Sequence, residues 1–333
     1  MIERAPQRAH ESARPGATVP TVSVVICAYT ARRWEALTEA VASVQSQTQP
    51  PLETIVVVDH NPELLERAAA GFRHLTVLAN AGARGLSGAR NTGVAQASGD
   101  VVAFLDDDAR ADREWLAELI GCYEDPAVVG AGGVVEPRWH QGEARDWLPA
   151  EFFWTIGCSY MGLPSEVTPI RNPIGANMSF RRDAIQRAGG FREGVGRLDA
   201  TPLGCEETEL AVRVSHALPG TTILHVPRAR VDHLVEPDRS SWPYFRSRCW
   251  SEGISKAIVA RHVGRNAGLA SERSYATRTL PRGVITGIAD ALRGDLSGLR
   301  RAAVILAGLA ITAAGYAWGW TTRSAGAALE GEA

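Results

Sequence analysis

The chain has 333 residues, 45% of them hydrophobic and 22% charged, and a formal net charge of −2. This length allows one large domain or two ordinary ones, and the nearly balanced charge gives no general attraction for nucleic acid. The five cysteines are widely spaced and form no C-x-x-C pattern, which argues against a disulfide framework and a structural zinc site and favours a reducing cytoplasm.

The first part of the chain alternates apolar runs with helical patterns. Residues 1–20 contain Arg, Glu, His and Pro without an apolar run, which predicts a disordered lead rather than a signal peptide. The apolar, β-branched runs that follow predict buried strands at residues 22–29, 54–58, 75–78 and 101–105. Helical spacing occupies the intervals at residues 34–47, around 64–69, and at 86–97.

This alternation of strands and helices is typical of an α/β domain with a largely parallel sheet. Ligands of such sheets bind beyond the carboxyl ends of the strands, where this prediction places Tyr29, Asp59 and the acids 106–108. Neither the G-x-G-x-x-G fingerprint nor the G-x-x-x-x-G-K-[ST] loop follows the first strand. Nucleotide binding would therefore use other residues.

Three aspartates follow the fourth predicted strand without a break. Adjacent carboxylates repel one another unless a cation or water takes up the charge. In an extended chain Asp106 and Asp108 point to the same side and offer two hard oxygen ligands for Mg²⁺ or Mn²⁺. The alternative is a solvated acidic turn.

Residues 80–93 contain four glycines and two arginines. Glycine lets the backbone approach a ligand closely, and Arg84 and Arg90 have the chemistry to pair with phosphate oxygens. A surface loop with a helix cap is the alternative.

The second half contains two further features of chemical interest. Glu206 and Glu207 begin a predicted helix, whose positive end acidic residues complement. His233 follows two short predicted strands at residues 223–226 and 229–231. A lone histidine is more often structural, but this one belongs to a chain with a candidate cation site.

Residues 302–320 carry no charge and include Tyr316, Trp318 and Trp320 near their end. As a helix this segment would span about 28 Å, close to the thickness of a bilayer core. A spanning helix, an interfacial helix and a buried C-terminal helix are all consistent with the composition, and the aromatic cluster favours membrane association.

The order of these motifs resembles the family-2 glycosyltransferases of the GT-A fold. The resemblance covers roughly residues 20–260 and rests on the runs V-S-V-V-I-C-A-Y-T, T-I-V-V-V-D, A-R-N-T-G, F-L-D-D-D, I-G-A-N-M-S-F-R-R, A-G-G-F and C-E-E-T-E-L-A-V-R. It implies a largely parallel central sheet flanked by helices, with a nucleotide-sugar-binding half at 21–135 and an acceptor half at 136–260. A helical, membrane-associated segment would follow at 261–333.

The resemblance also implies which residues bind the donor, a nucleoside-diphosphate sugar of the UDP type. Ala28 and Tyr29 would lie by the base and ribose, and Asp59 would contact the base or ribose. Asp106 would face the ribose or sugar, with Asp107 in a supporting role at the turn or at the sugar.

The metal and the catalytic base follow from the same resemblance. Asp108, with Asp106 and His233, would hold Mg²⁺ or Mn²⁺. Glu207 stands where the family usually has the aspartate of an E-D pair and would be the catalytic base, with Glu206 as the other candidate.

The reaction implied is the inverting transfer of a single hexosyl group to a hydroxyl of a lipid-linked, glycan or small-molecule acceptor, at the cytoplasmic face of the membrane. The processive Q-x-x-R-W motif is absent, since residues 246–250 read R-S-R-C-W. Two alternatives remain at this stage. A sugar nucleotidyltransferase would usually show a basic, glycine-rich loop after the first strand, and a non-catalytic sugar-nucleotide-binding protein would use Glu207 only to start a helix.

Overall fold

The computed structural model describes residues 19–140, 145–195, 204–264 and 270–321. Almost all of the predicted disordered lead, residues 1–20, lies outside these ranges. The elements of the first half are β1 Val22–Ala28, α1 Trp34–Gln45, β2 Glu53–Val58, α2 Pro62–Gly71, β3 Thr76–Ala79, α3 Leu86–Gln96 and β4 Val101–Asp106. Each predicted strand and helix of this half is confirmed to within a few residues.

The second half is more irregular. Its strands are β5 Ala109–Ala111, β6 Val128–Trp139, β7 Thr168–Pro169, β8 Asn177–Arg181 and β9 Thr222–Val235. Its helices are α4 Trp115–Gly121, α5 Arg182–Arg187, α6 Glu206–Ala217, α7 Trp242–Val263, α8 Ala270–Ser274, α9 Leu280–Leu292 and α10 Ser297–Thr321. Short 3₁₀ turns cover Ala31–Arg33, Cys122–Glu124, Ala150–Ile156 and Pro237–Ser240, and a π-helical turn at Tyr275–Thr279 joins α8 to α9.

One sheet runs through the molecule in the order β3-β2-β1-β4-β8-β6-β9-β5, with β7 also paired to β9. The expected parallel arrangement holds for β3, β2, β1 and β4. Strand β8 is antiparallel to both β4 and β6, whereas β6 and β9 are parallel. The sheet is therefore mixed beyond β4.

The two short strands predicted at 223–226 and 229–231 form one strand, β9. The register against β6 shifts between Gly133 and Val134, where the partner residue jumps from Val226 to Arg230. Residues 227–229 are therefore outside the register with β6, although β9 continues through them. This shift explains why the sequence pattern is interrupted there.

Apolar side chains cover both faces of the sheet. One core holds Leu37, Leu64 and Leu116 from α1, α2 and α4, and the other holds Ala89 and Leu210 from α3 and α6. Burial on both faces is the reason that the central strands are continuous apolar runs rather than alternating ones.

The predicted C-terminal helix is present as α10, which packs along α7. A Cβ atom on Gly253 or Gly315 would overlap backbone atoms of the opposite helix, so these glycines allow close packing of the two backbones. Among the described residues α10 is the one helix long and apolar enough to cross a membrane, with a mean hydropathy of 1.6, and 33% of its most apolar stretch is buried in the protein. Leu292 and Leu296, just before α10, are 85% and 72% exposed.

Candidate active site

The strand ends of the parallel half of the sheet form a small pocket. Cys27 of β1 is level with Asp106 of β4, and Ala28 is level with Val58, which precedes Asp59. The pocket has a volume of about 100 Å³. Its lining includes six of the predicted donor-site residues: Ala28, Tyr29, Asp59, Arg84, Asp106 and Asp107.

Asp59 holds the glycine-rich loop against this pocket. Its carboxylate accepts hydrogen bonds from the Asn80 side-chain amide at 2.6 Å and from the Gly85 backbone N–H at 2.9 Å. Gly85 has a φ of 120°, which non-glycine residues rarely adopt. The loop carrying Arg84 is thus positioned by a carboxylate that sequence reasoning assigned only to the donor.

Tyr29 stands at the edge of the pocket with 41% of its surface exposed. The Arg33 guanidinium lies 5.5 Å from the centre of its ring. Because 41% of Tyr29 is exposed, part of its ring remains accessible beside the pocket, and a planar base could stack on it.

The three aspartates separate into two groups. Asp106, Asp108 and His233 each offer one ligand atom, and these three atoms lie within 4.8 Å of one another. His233 reaches this corner because β5 and β9 pair Ala109 with His233, directly after the acidic triplet. Asp107 instead accepts a hydrogen bond from Arg33 at 2.8 Å.

Two arginines that sequence reasoning missed face Asp108. The Arg33 and Arg239 guanidinium nitrogens lie 3.1 and 3.3 Å from its Oδ2 atom, and His233 Nε2 lies 3.2 Å from its Oδ1 atom. Burial would raise the pKa of Asp108, but His233 and Arg239 hold it well below its usual value. Burial, with added repulsion from Asp108, raises the pKa of Asp107 to about 6 although Arg33 opposes the shift.

The Asp106, Asp108 and His233 corner has the composition of a divalent-cation site. Carboxylate oxygens suit Mg²⁺ and Mn²⁺, and neutral imidazole is a common metal ligand. Within the described part of the chain, the buried His233 Nδ1 atom has no hydrogen-bond partner, and Asp108 Oδ2 is met by Arg33 and Arg239 as ion pairs without hydrogen-bond geometry. These residues therefore fit a bound metal ion.

Arg90 connects this corner to the start of α6. Its guanidinium donates to Glu206 Oε1 at 2.8 Å and to the Gly175 carbonyl oxygen at 3.1 Å, and lies 3.5 Å from Asp106. Only 2% of Arg90 is exposed. In the structure its charge is engaged by protein carboxylates, whereas the sequence pattern suggested a phosphate.

Glu207 lines a cavity of about 720 Å³ that also reaches Asp106, Asp108 and His233. Burial, with repulsion from Glu206 as the next cause, raises the pKa of Glu207 to about 8 from the usual 4.5. Cys205, immediately before α6, has a φ of 72°, an unfavourable value for a residue with a side chain. A carboxyl group with a pKa near neutrality is suited to proton transfer.

Comparisons with known proteins agree with this geometry. The family model described as glycosyl transferase family 2 matches residues 23–189. The chain is 34% identical over 242 residues to the glucosyl-dolichyl phosphate glucuronosyltransferase of Haloferax volcanii, a match that covers 72% of this chain and 77% of that protein. It is also 31% identical over 180 residues to glycosyltransferase AglE of the same organism, covering 52% of this chain and 57% of that one.

A solved structure has the same overall fold. The mannosyltransferase of Pyrobaculum calidifontis, determined with GDP-mannose and Mn²⁺, superposes with a TM-score of 0.58 at 19% identity. The superposition covers 90% of this chain and 88% of that one.

Proposed function

This chain belongs to glycosyl transferase family 2 and is a glycosyltransferase with the GT-A fold, and we propose that it transfers one sugar, with inversion, from a nucleoside diphosphate to an acceptor hydroxyl. The observation that carries the proposal is the single cavity shared by the Asp106, Asp108 and His233 corner and by Glu207. The Asp106, Asp108 and His233 corner would bind a diphosphate leaving group through a metal ion. Glu207 would take the proton of the acceptor hydroxyl.

The donor nucleotide is proposed to lie in the small pocket at the strand ends. Tyr29 offers its exposed ring to the base, and Ala28 allows close approach beside it. Asp59 would contact the base or ribose while it holds the loop that carries Arg84. We propose that the donor is of the UDP type. It would be bound by the half of the chain at residues 21–135.

Asp108, Asp106 and His233 would hold Mg²⁺ or Mn²⁺. When bound, such an ion supplies positive charge that stabilises a diphosphate leaving group. Arg33 and Arg239 add two cations at the same corner. Asp107, held by Arg33, keeps the turn in place.

Glu207 is proposed to be the general base. Its carboxylate takes the proton of the acceptor hydroxyl while the oxygen attacks the anomeric carbon on the face opposite the diphosphate. A single displacement of this kind inverts the anomeric centre. Glu206 is bonded to Arg90 and would position the base rather than act in its place.

The acceptor is proposed to be lipid-linked and to bind in the half at 136–260. The relative of 34% identity is named for a glucosyl-dolichyl phosphate substrate, which is a lipid-linked sugar. The exposed Leu292 and Leu296 beside α10, in the segment 261–333, provide an apolar surface for contact with a bilayer. We propose that the enzyme works at the cytoplasmic face of the membrane, and that removing residues 300–333 shifts it to the soluble fraction; an unchanged distribution would contradict this.

The function is tested by nucleotide release from a panel of UDP- and GDP-sugars with Mn²⁺ and the full chain. We expect Asp108→Ala and Glu207→Gln to lose turnover, and the exposed control Glu136→Gln to retain it. NMR of the product gives the anomeric configuration. Retained turnover in Glu207→Gln, or a product of retained configuration, would refute the proposed mechanism.

The same experiment separates the two alternatives raised by the sequence. The alternative of a sugar nucleotidyltransferase is already excluded, because the chain belongs to glycosyl transferase family 2. A non-catalytic binding protein would bind the donor with Mn²⁺ and show no turnover that depends on Glu207.

A further inference from the structure

The turn that leads into α6 is strained and has no side-chain cap. Cys205 precedes the helix with the left-handed φ of 72°, and its side chain makes no capping hydrogen bond to the first turn. A residue other than glycine keeps such a conformation only where its surroundings hold it. Glu206 and Glu207 are the first two residues of the helix. The groups that hold Cys205 therefore also fix the position of Glu207.

Helix α7 holds this turn at two points. The Cys205 thiol donates a hydrogen bond to Glu252 Oε1 at 3.4 Å, and the Gly204 backbone N–H donates to Ser255 Oγ at 3.2 Å. Residues three apart lie on one face of a helix, so Glu252 and Ser255 contact the turn together. Glu252 and Glu207 also line the same cavity. A carboxylate of α7 thus anchors the residues from which the proposed base enters the cavity.

The Glu252 side chain is a charged anchor. Lys256 Nζ lies 2.9 Å from it, and an Arg248 guanidinium nitrogen lies 3.5 Å from it. Burial would raise the pKa of Glu252, but Lys256 and Arg248 hold it below its usual value. Only 12% of the side chain is exposed. The carboxylate is therefore negative at neutral pH, in a setting where water screens its charge weakly.

Charged groups on three helices act on Glu207. Glu206 belongs to its own helix, Glu252 to α7 and Arg90 to α3. Burial is the main cause of the raised pKa of Glu207; Glu206 and Glu252 add to it, and Arg90 opposes it. The Thr208 hydroxyl donates to Glu207 Oε1 at 3.0 Å. Because Arg90 is bonded to Glu206, Glu252 is a separate source of negative charge at the base.

The charged network continues beyond Glu252 to α8. Lys256 Nζ lies 2.8 Å from Glu272 as well, and Arg171 donates to Glu272 at 2.6 and 2.9 Å. These contacts join α7 to α8 and to the segment before β8. Glu252 and Glu272 therefore share one cation, but Glu252 is the acceptor for the Cys205 thiol. Glu272 offers a matched comparison within the same network.

We propose that Glu252 is a positioning residue of the transfer reaction, which fixes the turn at 204–205 through the Cys205 thiol and adds a charged carboxylate to the surroundings of Glu207. This inference rests on the proposed function, in which Glu207 takes the proton of the acceptor hydroxyl. A nearby negative charge makes a carboxylate bind its proton more tightly, so Glu252 strengthens the base. A residue that served only to pair with Lys256 would have no effect on the titration of Glu207.

The first test is the pH profile of kcat/KM for nucleotide release, with the full chain, Mn²⁺ and the most active donor of the UDP- and GDP-sugar panel. Glu252→Gln keeps an oxygen acceptor for the thiol but removes the charge. The midpoint of the profile should therefore move down by about half a pH unit or more. Glu272→Gln makes the same chemical change at the other partner of Lys256 and should move the midpoint less.

The second test separates the anchor from the charge. Cys205→Ala removes the donor to Glu252 and leaves the carboxylate in place, so kcat should fall about tenfold at an unchanged midpoint, because the base is misplaced. The KM of the donor should not change, since the strand ends form the proposed nucleotide pocket. Cys205→Ser keeps a donor and should retain most of the activity. Glu252→Asp keeps the charge but withdraws it from the thiol, and should resemble Cys205→Ala.

A third measurement reads the titration of Glu207 without catalysis. The free energy of unfolding is followed against pH for each protein and for the same protein with Glu207→Gln, and the difference reports the pKa of Glu207. An unmoved midpoint in Glu252→Gln, an equal shift in Glu272→Gln, or wild-type kcat in Cys205→Ala would overturn the inference and leave the transferase proposal standing. Nucleotide release that does not require Glu207 would instead defeat the proposed base, and with it this inference.

Discussion

Replacing Glu207 with glutamine should lower turnover, and it should raise the stability relative to the wild type as the pH increases. The amide cannot accept the acceptor proton, so turnover should fall about 10²- to 10⁴-fold, the contribution usual for a general base. The pH dependence of the wild type should also report this group. Since the deprotonated form is the base and its pKa is about 8, kcat/KM should rise with pH and level off above that value.

The stability effect follows from the same pKa. The folded value of about 8 is raised above the usual 4.5, so the group contributes stability that is fully present below pH 4.5 and is lost as pH rises through 8. At about 1.36 kcal/mol per pH unit, the wild type should lose about 2 kcal/mol relative to Glu207→Gln between pH 6 and pH 8. The stability of the variant should therefore rise progressively relative to that of the wild type in this interval.

The assay is denaturant unfolding of both proteins across this pH range, without metal or donor. Glu136→Gln makes the same chemical change at an exposed ion pair with Arg230 and should show no such trend. A stability difference that does not change with pH would refute the raised pKa. A variant that is inactive and also unstable at every pH would show that Glu207 is structural.

Three other substitutions test the surroundings of the site. Arg90→Gln leaves the carboxylate of Glu206 buried without its cation and should lower the free energy of unfolding by about 3–5 kcal/mol in urea titration; a change below 1 kcal/mol would contradict the buried pair. Gly315→Ala places a methyl group against the backbone of α7 and should destabilise by about 1–3 kcal/mol, whereas Gly121→Ala, where a Cβ meets nothing within 4 Å, should be neutral or stabilising. Leu292→Glu should reduce co-sedimentation with lipid vesicles without lowering the melting temperature, and unchanged sedimentation would argue against a membrane-facing surface.

Much of the fold can be predicted from local pattern. The run from Val22 to Ala28 is a buried strand because β-branched side chains suit a pleated surface covered on both faces, and this pattern requires no knowledge of the neighbours. The parallel pairing of the first four strands follows from the helices between them. The placement of β8 between β4 and β6 does not, because antiparallel partners need no characteristic connection.

The features of the candidate site also divide into those predicted from the local sequence and those that only the structure revealed. The sequence by itself predicted Asp106 and Asp108 as candidate cation ligands, since adjacent acids repel one another, whereas the roles predicted for Glu207 and His233 came from the resemblance to family 2. It also placed Asp59 at the end of a strand, where ligands bind.

Only the tertiary structure decided how these groups are paired. Arg33 and Arg239 meet at Asp108 although they are separated by most of the chain, and Arg90 reaches Glu206 across 116 positions. Arg171 and Glu272 come together in the same way across 101 positions. Ion pairs of this kind depend on which surfaces pack together, and no periodicity in the sequence records that, because each partner is polar in its own local context.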